Sequence, residues 1–344
     1  MVTGGDRAAG SPTMLDVAQE AGVSRALVSI VFRGVPGASD ETREHVLAVA
    51  DRIGYHPNRS ASLLARRRTR QLGVVLDLHN TFHADLADSV MASALEAGYH
   101  AALLPRTSRQ DERAAISSAL ELRCEALILL GPSTPRTALP GLTAGLPAVS
   151  VGLQVDLPTF DVVRTADDVG MGSVVDHLVG RGHRAIVHID GGEGAISEER
   201  RGGFRTAVAR HGLDDAVRMV SGGPAETDGR SAILALLDGL SDGAEPPSAI
   251  VAFNDACAVG AMDALVSRGL RVPDDIAVTG YDDTPLARLG LIDLTTLRQD
   301  APRLGAAAVA AVVSRLDDGR SDPTTTVFPP ELIVRGSSGA RGRS

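Results

Sequence analysis

From residue 71 onwards, short apolar segments of strand length alternate with longer segments of helical periodicity. Eight strands are expected, at Leu72–Leu76, Ala101–Leu104, Ala126–Leu130, Ala148–Val151, Ala185–Ile189, Ala249–Phe253, Ala277–Gly280 and Ile292–Leu297. Helices are expected between them, among others at Ala84–Gly98 and Arg109–Arg123. Continuous apolar strands that alternate with helices are typical of parallel sheets covered on both faces, so the pattern predicts an α/β fold. This part of the chain is long enough for two such lobes.

The first seventy residues have a different pattern, with three short helices and no strand. The helices are expected at Thr13–Ala21, Arg25–Arg33 and Asp40–Ile53, with Thr13, Ser24 and Ser39 as their capping residues. Two short helices joined by a three-residue turn with a glycine form the helix-turn-helix arrangement, whose second helix enters the DNA major groove. An ordinary three-helix bundle over residues 13–56 is the alternative that this pattern alone leaves open.

Helical periodicity gives the second helix a core face and an outward face. Leu27, Val28 and Val31 fall on the core face. The outward face carries Arg25, Ala26, Ser29, Ile30 and Arg33. Arginine can make a bidentate contact to guanine that is worth about 1–3 kcal/mol of discrimination, so this face could read bases.

The segment Asn58–Arg70 contains five arginines, no acidic residue, and two leucines, Leu63 and Leu64. This composition is unusual for a core element and suits an apolar wedge in the minor groove, held by phosphate contacts. A plain linker whose leucines are buried against the rest of the protein is the alternative.

Charge is divided unevenly along the chain. The 344 residues include 34 basic residues, all arginine, and 43 acidic ones, for a net charge of −9. Residues 13–70 hold nine arginines and six acids, a net charge of +3, so the remainder totals −12. Attraction to phosphate is therefore confined to one end of the chain. The net charge argues against a nucleic-acid-binding surface that is basic throughout the protein.

The two cysteines, Cys124 and Cys257, are far apart and lack metal-ligand spacing. We expect small reduced core residues and no metal site. No leader pattern opens the chain and no apolar run approaches about 18 residues, so we expect a cytoplasmic protein with no membrane partner. Residues 1–12 and 337–344 are expected to be disordered tails.

Ten short motifs follow one another in a fixed order. In the first seventy residues they lie at Asp16–Ser24 (D-V-A-x-x-A-G-V-S), Val28–Ser29, Glu41–Glu44, Gly54–Arg59 and Leu64. Further on they lie at Arg181–Ile186, Glu199–Phe204, Phe253–Asp255, Arg268–Asp283 and Leu294–Gln299. Together they resemble the LacI/GalR family of bacterial transcriptional regulators over almost the whole chain. The resemblance implies a helix-turn-helix head followed by a two-lobed domain that is similar to periplasmic sugar-binding proteins.

The same resemblance implies contacts to a double-stranded DNA operator. The implied DNA-binding residues are Ser24, Arg25, Ala26, Ser29, Ile30, Arg33, Asn58, Arg59, Ala61, Leu64 and Arg66. The family usually has arginine in place of Ile30 and a small hydroxyl residue in place of Leu27, so the operator sequence cannot be transferred from relatives. Asn58–Ala65 would be a hinge helix whose leucine meets its copy at the operator centre. Such pairing requires a homodimer on a near-palindromic site, with a tetramer left open.

Polar side chains follow several predicted strands, at the edge where parallel sheets bind ligands. Asp77, Asn254 and Asp282 stand at strand ends, and Arg200 lies on the loop before a helix expected at Arg201–Arg210. Each could instead be a helix N-cap. The family resemblance implies that a small-molecule effector is bound by Asp77, Phe82, Arg200, Asn254 and Asp282.

A sugar or related polyol is the first expectation for this effector. Some sugar-binding relatives have a stacking tryptophan where this chain has Pro224, and the chain contains no tryptophan. Four aromatic residues could take its place: Phe82, Phe160, Phe253 and Tyr281. The sequence leaves open whether the effector releases or recruits DNA binding.

The expected domains are the head at 13–57, a hinge and linker at 58–70, and an effector-binding domain at 71–336. Its first lobe is expected at about 71–168 and 299–323, and its second at about 169–298 and 324–336. A solute-binding protein without a DNA role is the main alternative, and the head argues against it. An α/β enzyme is disfavoured because no P-loop, G-x-S-x-G or H-E-x-x-H motif occurs. We therefore expect no catalytic residue and no cofactor.

Overall fold

The computed structural model of the chain describes residues 12–55, 68–213, 218–241 and 245–339. Contacts divide the protein into two units, Met1–Thr69 and Arg70–Ser344, called the head and the body below. The hinge residues Asn58, Arg59, Ala61, Leu64 and Arg66 lie outside the described residues.

Within its described residues, 12–55 and 68–69, the head contains three short helices, as predicted. They are α1 (Met14–Glu20), α2 (Arg25–Arg33) and α3 (Asp40–Ile53). The predicted capping box is confirmed, since the carboxylate of Asp16 accepts the backbone N–H of Thr13 at 2.7 Å while the Thr13 hydroxyl accepts the N–H of Asp16. The hydroxyl of Ser24 accepts the N–H of Leu27 at 3.1 Å and thereby caps α2.

One small apolar core holds the head together. Its buried residues are Val17, Ala18, Ala21, Val28, Val31, Val46, Val49, Ala50 and Tyr55. The ring of Phe32 meets the ring of Tyr55 edge-on, with 5.4 Å between centroids. Val28 and Val31 are on the buried side of α2 as predicted, whereas Leu27 is only half-buried.

The first lobe of the body is a six-stranded sheet in which every pairing is parallel. Its strands are β1 (Gln71–Asp77), β2 (His100–Arg106), β3 (Ala126–Leu130), β4 (Ala148–Val151), β5 (Phe160–Thr165) and β11 (Thr325–Phe328), in the spatial order β11-β5-β4-β3-β1-β2. Its helices are α4 (Thr81–Glu96), α5 (Glu112–Glu121), the short α6 (Leu139–Leu142) and α11 (Ala301–Asp317).

The second lobe repeats this arrangement with one change at the edge. Its strands are β6 (Ile186–Ile189), β7 (Arg218–Val220), β8 (Ala249–Val251), β9 (Ala277–Asp282), β10 (Thr295–Arg298) and β12 (Glu331–Ile333), in the order β12-β10-β9-β8-β6-β7. Its helices are α7 (Asp167–Gly180), α8 (Ala195–Arg210), α9 (Glu226–Asp238) and α10 (Asp255–Ser267), and short 3₁₀ turns occur at Pro285–Arg288 and Gly336–Ser338. The edge strand β12 pairs antiparallel with β10.

Alternate side chains of each strand enter separate apolar clusters on the two faces of each sheet. In the first lobe, Ile128 belongs to one cluster and its neighbours Leu127 and Leu129 to the other. In the second lobe, Val251 and Ile250 are divided in the same way. Strands buried on both faces need continuous apolar segments, which is why these strands were visible in the sequence.

The chain passes between the lobes three times, and the third passage differs from our prediction. The first two passages lie between Thr165 and Asp167 and between Arg298 and Ala301. The third lies between β11 and β12, because Thr325–Phe328 pairs with β5 of the first lobe. Placing residues 324–336 wholly in the second lobe was therefore wrong.

The end of the chain also differs from the prediction of a tail from residue 337. Ser337 and Ser338 are buried, and the backbone N–H of Thr295 donates to the Ser337 hydroxyl at 2.8 Å. These two residues therefore belong to the second lobe, while residues 340–344 lie outside the described part. Among the helices that the structure describes, none is both long and apolar enough to cross a membrane.

Candidate functional site

A cleft of about 550 Å³, a volume that includes its solvent-open mouth, lies between the two lobes of the body. The first lobe lines it with Asn80, Phe82, His83, Leu86, Gly131, Val151, Gly152, Thr165 and Leu304. The second lobe lines it with Asp167, Ile196, Arg200, Phe253, Asn254 and Asp282, and Gln299 lies on the passage between the lobes. Four of the five residues predicted to bind an effector are thus brought together.

Arg200 is the charged centre of the second-lobe wall. It lies within α8, and not on the preceding loop as predicted, because the helix already begins at Ala195. Its Nε donates to Oδ1 of Asp167 at 2.9 Å and its Nη1 donates to the carbonyl oxygen of Phe253 at 2.6 Å. Its Nη2 is 3.9 Å from Oδ1 of Asp282.

Aromatic rings complete the environment of this guanidinium. It lies 3.5 Å from the centroid of the Tyr281 ring and 4.6 Å from that of Phe253. Burial disfavours its charge, but the neighbouring Asp167, Tyr281 and Asp282 raise the pKa of Arg200 above its ordinary value. The cation is therefore retained although the residue is almost completely buried.

Asp282 reaches the cleft from the end of β9 with an unusual backbone. Its φ is 110° and that of Asp283 is 55°, a conformation that costs a non-glycine residue roughly 1–3 kcal/mol. The buried carboxylate of Asp283 offsets this strain, since it accepts from Arg298 at 2.7 Å and from Arg288 at 3.2 Å and also pairs with Arg335. Strain at a ligand-lining position is consistent with a functional constraint on Asp282.

A hydrogen-bonded chain connects Asp282 with the first lobe. Nε2 of Gln299 donates to Oδ1 of Asp282 at 2.7 Å, and the hydroxyl of Thr165 donates to Oε1 of Gln299 at 2.6 Å. Burial raises the pKa of Asp282 to about 7, and Arg200 opposes the rise. The two lobes and the cleft carboxylate thus share one polar network.

Asn254 caps a helix and also lines the cleft, so the helix-cap interpretation does not remove it from the candidate site. Its Oδ1 accepts the backbone N–H of Cys257 at 2.9 Å and caps α10, while the residue also lines the cleft. With Oδ1 engaged in the cap, the amide nitrogen is the part of the side chain that can donate to a ligand.

The first-lobe wall comes mainly from the first turn of α4. Asn80 caps this helix, and its Oδ1 accepts the N–H of Phe82 at 3.0 Å. Nδ1 of His83 accepts the backbone N–H of Asp77 at 2.9 Å, so the ring proton of neutral His83 is on Nε2. Burial, together with the charge of Arg106, lowers the pKa of His83 to about 4 and keeps it neutral.

Asp77 is the one predicted effector residue that does not line the cleft. Its Oδ1 accepts the N–H of His79 at 2.9 Å, and its side chain is 42% exposed and 4.0 Å from Arg106. Its contribution to the cleft is through its backbone, which orients His83.

Five polar residues of the cleft were not predicted: Asn80, His83, Thr165, Asp167 and Gln299. Thr165, Asp167 and Gln299 lie on the passages between the lobes, which the sequence located only approximately. Gln299 is the last residue of the Leu294–Gln299 motif, and this position was the one sequence signal that could have indicated a role in the cleft.

Apolar and ionic contacts join the lobes beside the cleft. Ile196 of α8 packs against the apolar cluster of the first lobe, opposite Gly131 and Gly152. Glu199, one turn further on, has its Oε2 at 3.5 Å from Nη1 of Arg164 and its Oε1 at 3.9 Å from Nη2 of Arg136.

The head presents a separate candidate surface on α2. Arg25 and Ala26 are exposed, Ser29 and Ile30 are half-buried, and Arg33 ends the helix. Ile30 packs toward Gly37, whose position would place a Cβ atom 3.3 Å from Cγ2 of Ile30. The exposed start of α2 is therefore the part most open to a partner.

Comparison with known proteins gives two family-model matches. Residues 13–58 match bacterial regulatory proteins of the lacI family, and residues 175–338 match the periplasmic binding protein-like domain. The HTH-type transcriptional regulator GalR of Escherichia coli (strain K12) is 30% identical over 338 residues, with 94% of this chain and 95% of GalR covered.

Solved structures of transcriptional regulators are also similar to this chain. The lac repressor dimer bound to operator and the anti-inducer ONPF has a TM-score of 0.79 at 27% identity, covering 96% of this chain and 99% of that one. The transcriptional regulator CelR in complex with cellobiose has a TM-score of 0.69 at 28% identity, covering 95% and 99%.

Proposed function

Because this chain belongs to the LacI/GalR family of bacterial transcriptional regulators, we propose that it represses transcription from a near-palindromic operator as a homodimer, under the control of a polyol in its cleft. The chain is a DNA-binding transcriptional regulator with an effector-binding domain. The proposal adds the sense of the regulation, the shape of the site and the class of effector.

The cleft carries the effector part of the proposal. Its single most informative feature is Arg200, which is held between two carboxylates and a backbone carbonyl at the wall of the cleft between the lobes. Side chains that both donate and accept suit hydroxyl groups, and apolar neighbours such as Phe82 and Leu86 suit the C–H face of a sugar ring. The cellobiose complex of CelR supports the same ligand class.

The head carries the DNA part. Arg25 and Ala26 are exposed at the start of the second helix of a helix-turn-helix, which is the part of such a helix that reaches base edges. The operator complex of the lac repressor dimer supports binding by a pair of chains. The solute-binding alternative without a DNA role has no counterpart to this head.

The test uses the purified full-length protein and fragmented DNA from its host. We expect a small set of fragments to be enriched over random duplex, each with a near-palindromic sequence. Binding of the enriched fragment should change by roughly 5- to 150-fold in the presence of one sugar or sugar alcohol, the usual range for coupling between two sites. Failure to prefer any fragment, with or without sugars, would remove the proposed function.

Leu64→Ala tests the predicted wedge, which lies outside the described residues. We expect operator affinity to fall more than about tenfold, because a few kcal/mol of contacts at an opened base step are lost. The thermal shift caused by the effector should persist. Leu63→Ala is the matched control, and equal operator affinity of the Leu64→Ala and wild-type proteins would refute the wedge.

A further inference from the structure

We propose that the cleft selects an uncharged polyol and rejects the phosphate and carboxylate derivatives of the same compound. This inference rests on the proposed function, in which the cleft holds the effector, and it names the charge of that effector. It follows from the charges and hydrogen bonds of the lining residues.

The ionisable residues that line the cleft provide no net positive charge. They are His83, Asp167, Arg200 and Asp282, so one guanidinium faces two carboxylates. Less than a tenth of the surface of each of the four residues is exposed, so water screens their charges little. With Asp282 ionised the total is −1, and with it protonated the total is zero.

His83 cannot supply the missing positive charge. Its Nδ1 accepts the backbone N–H of Asp77 at 2.9 Å, and an imidazolium ring has no nitrogen that can accept. Burial and the nearby Arg106 lower the pKa of His83 to about 4, in agreement with this geometry. His83 therefore offers a neutral Nε2–H donor.

The guanidinium of Arg200 is not free to bind an anion through two N–H groups. Its Nε and Nη1 donate within the protein at 2.9 and 2.6 Å, and its Nη2 faces Asp282 at 3.9 Å. Arginine frequently binds a phosphate or a carboxylate through two parallel N–H groups. A phosphate here would have to displace Asp167 or the Phe253 carbonyl and would then lie beside a buried carboxylate.

Hydroxyl groups need neither a net positive charge nor a free pair of arginine N–H groups. They can donate to the carboxylates of Asp167 and Asp282 and accept from the amide nitrogen of Asn254 and from Nε2 of His83. A site whose buried groups need both kinds of partner discriminates strongly against ligands that satisfy only one. The apolar lining residues, among them Phe82, Leu86 and Ile196, give an added charge no solvation.

The experiment compares each neutral compound with its charged derivatives on the full-length protein at pH 7.5. The pairs are glucose with glucose 6-phosphate and glucuronate, galactose with galacturonate, ribose with ribose 5-phosphate, mannitol with mannitol 1-phosphate, and cellobiose with cellobionate. Titration calorimetry gives each Kd. We expect the neutral member of the binding pair to bind at least about tenfold more tightly than its charged derivative.

A charged derivative that binds as tightly as its neutral parent, or more tightly, would overturn the inference while leaving the polyol effector in place. If no compound of either kind bound, the proposed effector class would fall and the inference with it. The two failures are therefore distinguishable.

Asp167→Asn separates charge from shape. The amide oxygen can still accept from Nε of Arg200, so the cleft keeps its geometry while it gains one unit of positive charge. We expect the preference for the neutral compound over the phosphate to fall several-fold. Asp168→Asn, the same change at the exposed neighbouring residue, should leave the preference unchanged. An unaltered preference in Asp167→Asn would overturn the charge explanation.

Discussion

The two lobes have the same strand order but bring different chemistry to the cleft between them. In each lobe the order of the first five strands is the same, and each sheet ends with a strand from the last part of the chain. The second lobe supplies the carboxyl groups of Asp167 and Asp282 and the guanidinium of Arg200, whereas the first-lobe wall is largely apolar or neutral. Equivalent positions in a repeated fold have thus been given unlike side chains.

This difference shows which part of a binding site the fold determines. Parallel sheets bring the strand ends of both lobes to one cleft, whatever residues stand there. In the first lobe, β1 ends at Asp77, whose carboxylate bonds the next turn and stays outside the cleft. In the second lobe, β9 ends at Asp282, whose left-handed backbone and buried network direct the carboxylate inward. The fold sets the place of the site, and local backbone conformation sets its chemistry.

Removal of the Arg200 guanidinium from the second lobe should have the largest effect on the protein. Arg200→Ala leaves Asp167 and Asp282 buried without their positive partner, which should destabilise the body by about 3–5 kcal/mol. It should also abolish the response to effector. Urea unfolding and calorimetry measure the two effects.

Arg205→Ala is the matched control for this change. It lies one turn further along α8, its side chain is 58% exposed, and it pairs with Glu198 at 3.5 Å. We expect a loss of no more than about 1 kcal/mol and an intact effector response. If Arg200→Ala behaved like this control, the second lobe would not hold the polar centre of the site.

The sequence predicted the fold well because strands buried on both faces leave continuous apolar segments. Arg200, Asn254 and Asp282 were predicted as cleft residues because they stand in motifs of the family resemblance, whereas Phe82 was predicted from the resemblance alone, and all four line the cleft. The sequence could not show that the Asp77 carboxylate stays outside the cleft, because a single residue decides that direction. The four residues Thr325–Phe328 were assigned to the wrong lobe, since a short edge strand carries no signal for its partner.

Asp282 of the second lobe and His83 of the first lobe should have opposite effects on how the stability of the folded protein depends on pH. The pKa of Asp282 is raised to about 7, so the folded protein binds more protons than the unfolded chain between about pH 4 and 7. This residue therefore makes stability fall as pH rises through that window. The pKa of His83 is lowered to about 4, and by the same rule this residue makes stability rise with pH up to about 6.5.

Asp282→Asn and His83→Gln remove these contributions one at a time. Relative to wild type, the stability of Asp282→Asn should rise more steeply with pH between about 4 and 6.5, and that of His83→Gln less steeply. The change in slope should approach but not exceed about 1.4 kcal/mol per pH unit, the value for one proton. Urea unfolding at half-unit pH steps measures both slopes, and changes of equal sign would contradict the opposite environments of the two walls.

The smallest effect is expected where the lobes meet outside the cleft. Glu199 of the second lobe faces Arg164 and Arg136 of the first at 3.5 and 3.9 Å, and its buried Oε2 makes no hydrogen bond with any described residue. Glu199→Gln should therefore weaken the contact between the lobes by at most about 1 kcal/mol, seen as an effector Kd that rises no more than about fivefold. Glu198→Gln is the control, because Glu198 is 62% exposed and pairs with Arg201 and Arg205 within its own helix. Equal effector affinities of Glu199→Gln and Glu198→Gln would show that this ion pair does not help to hold the lobes together.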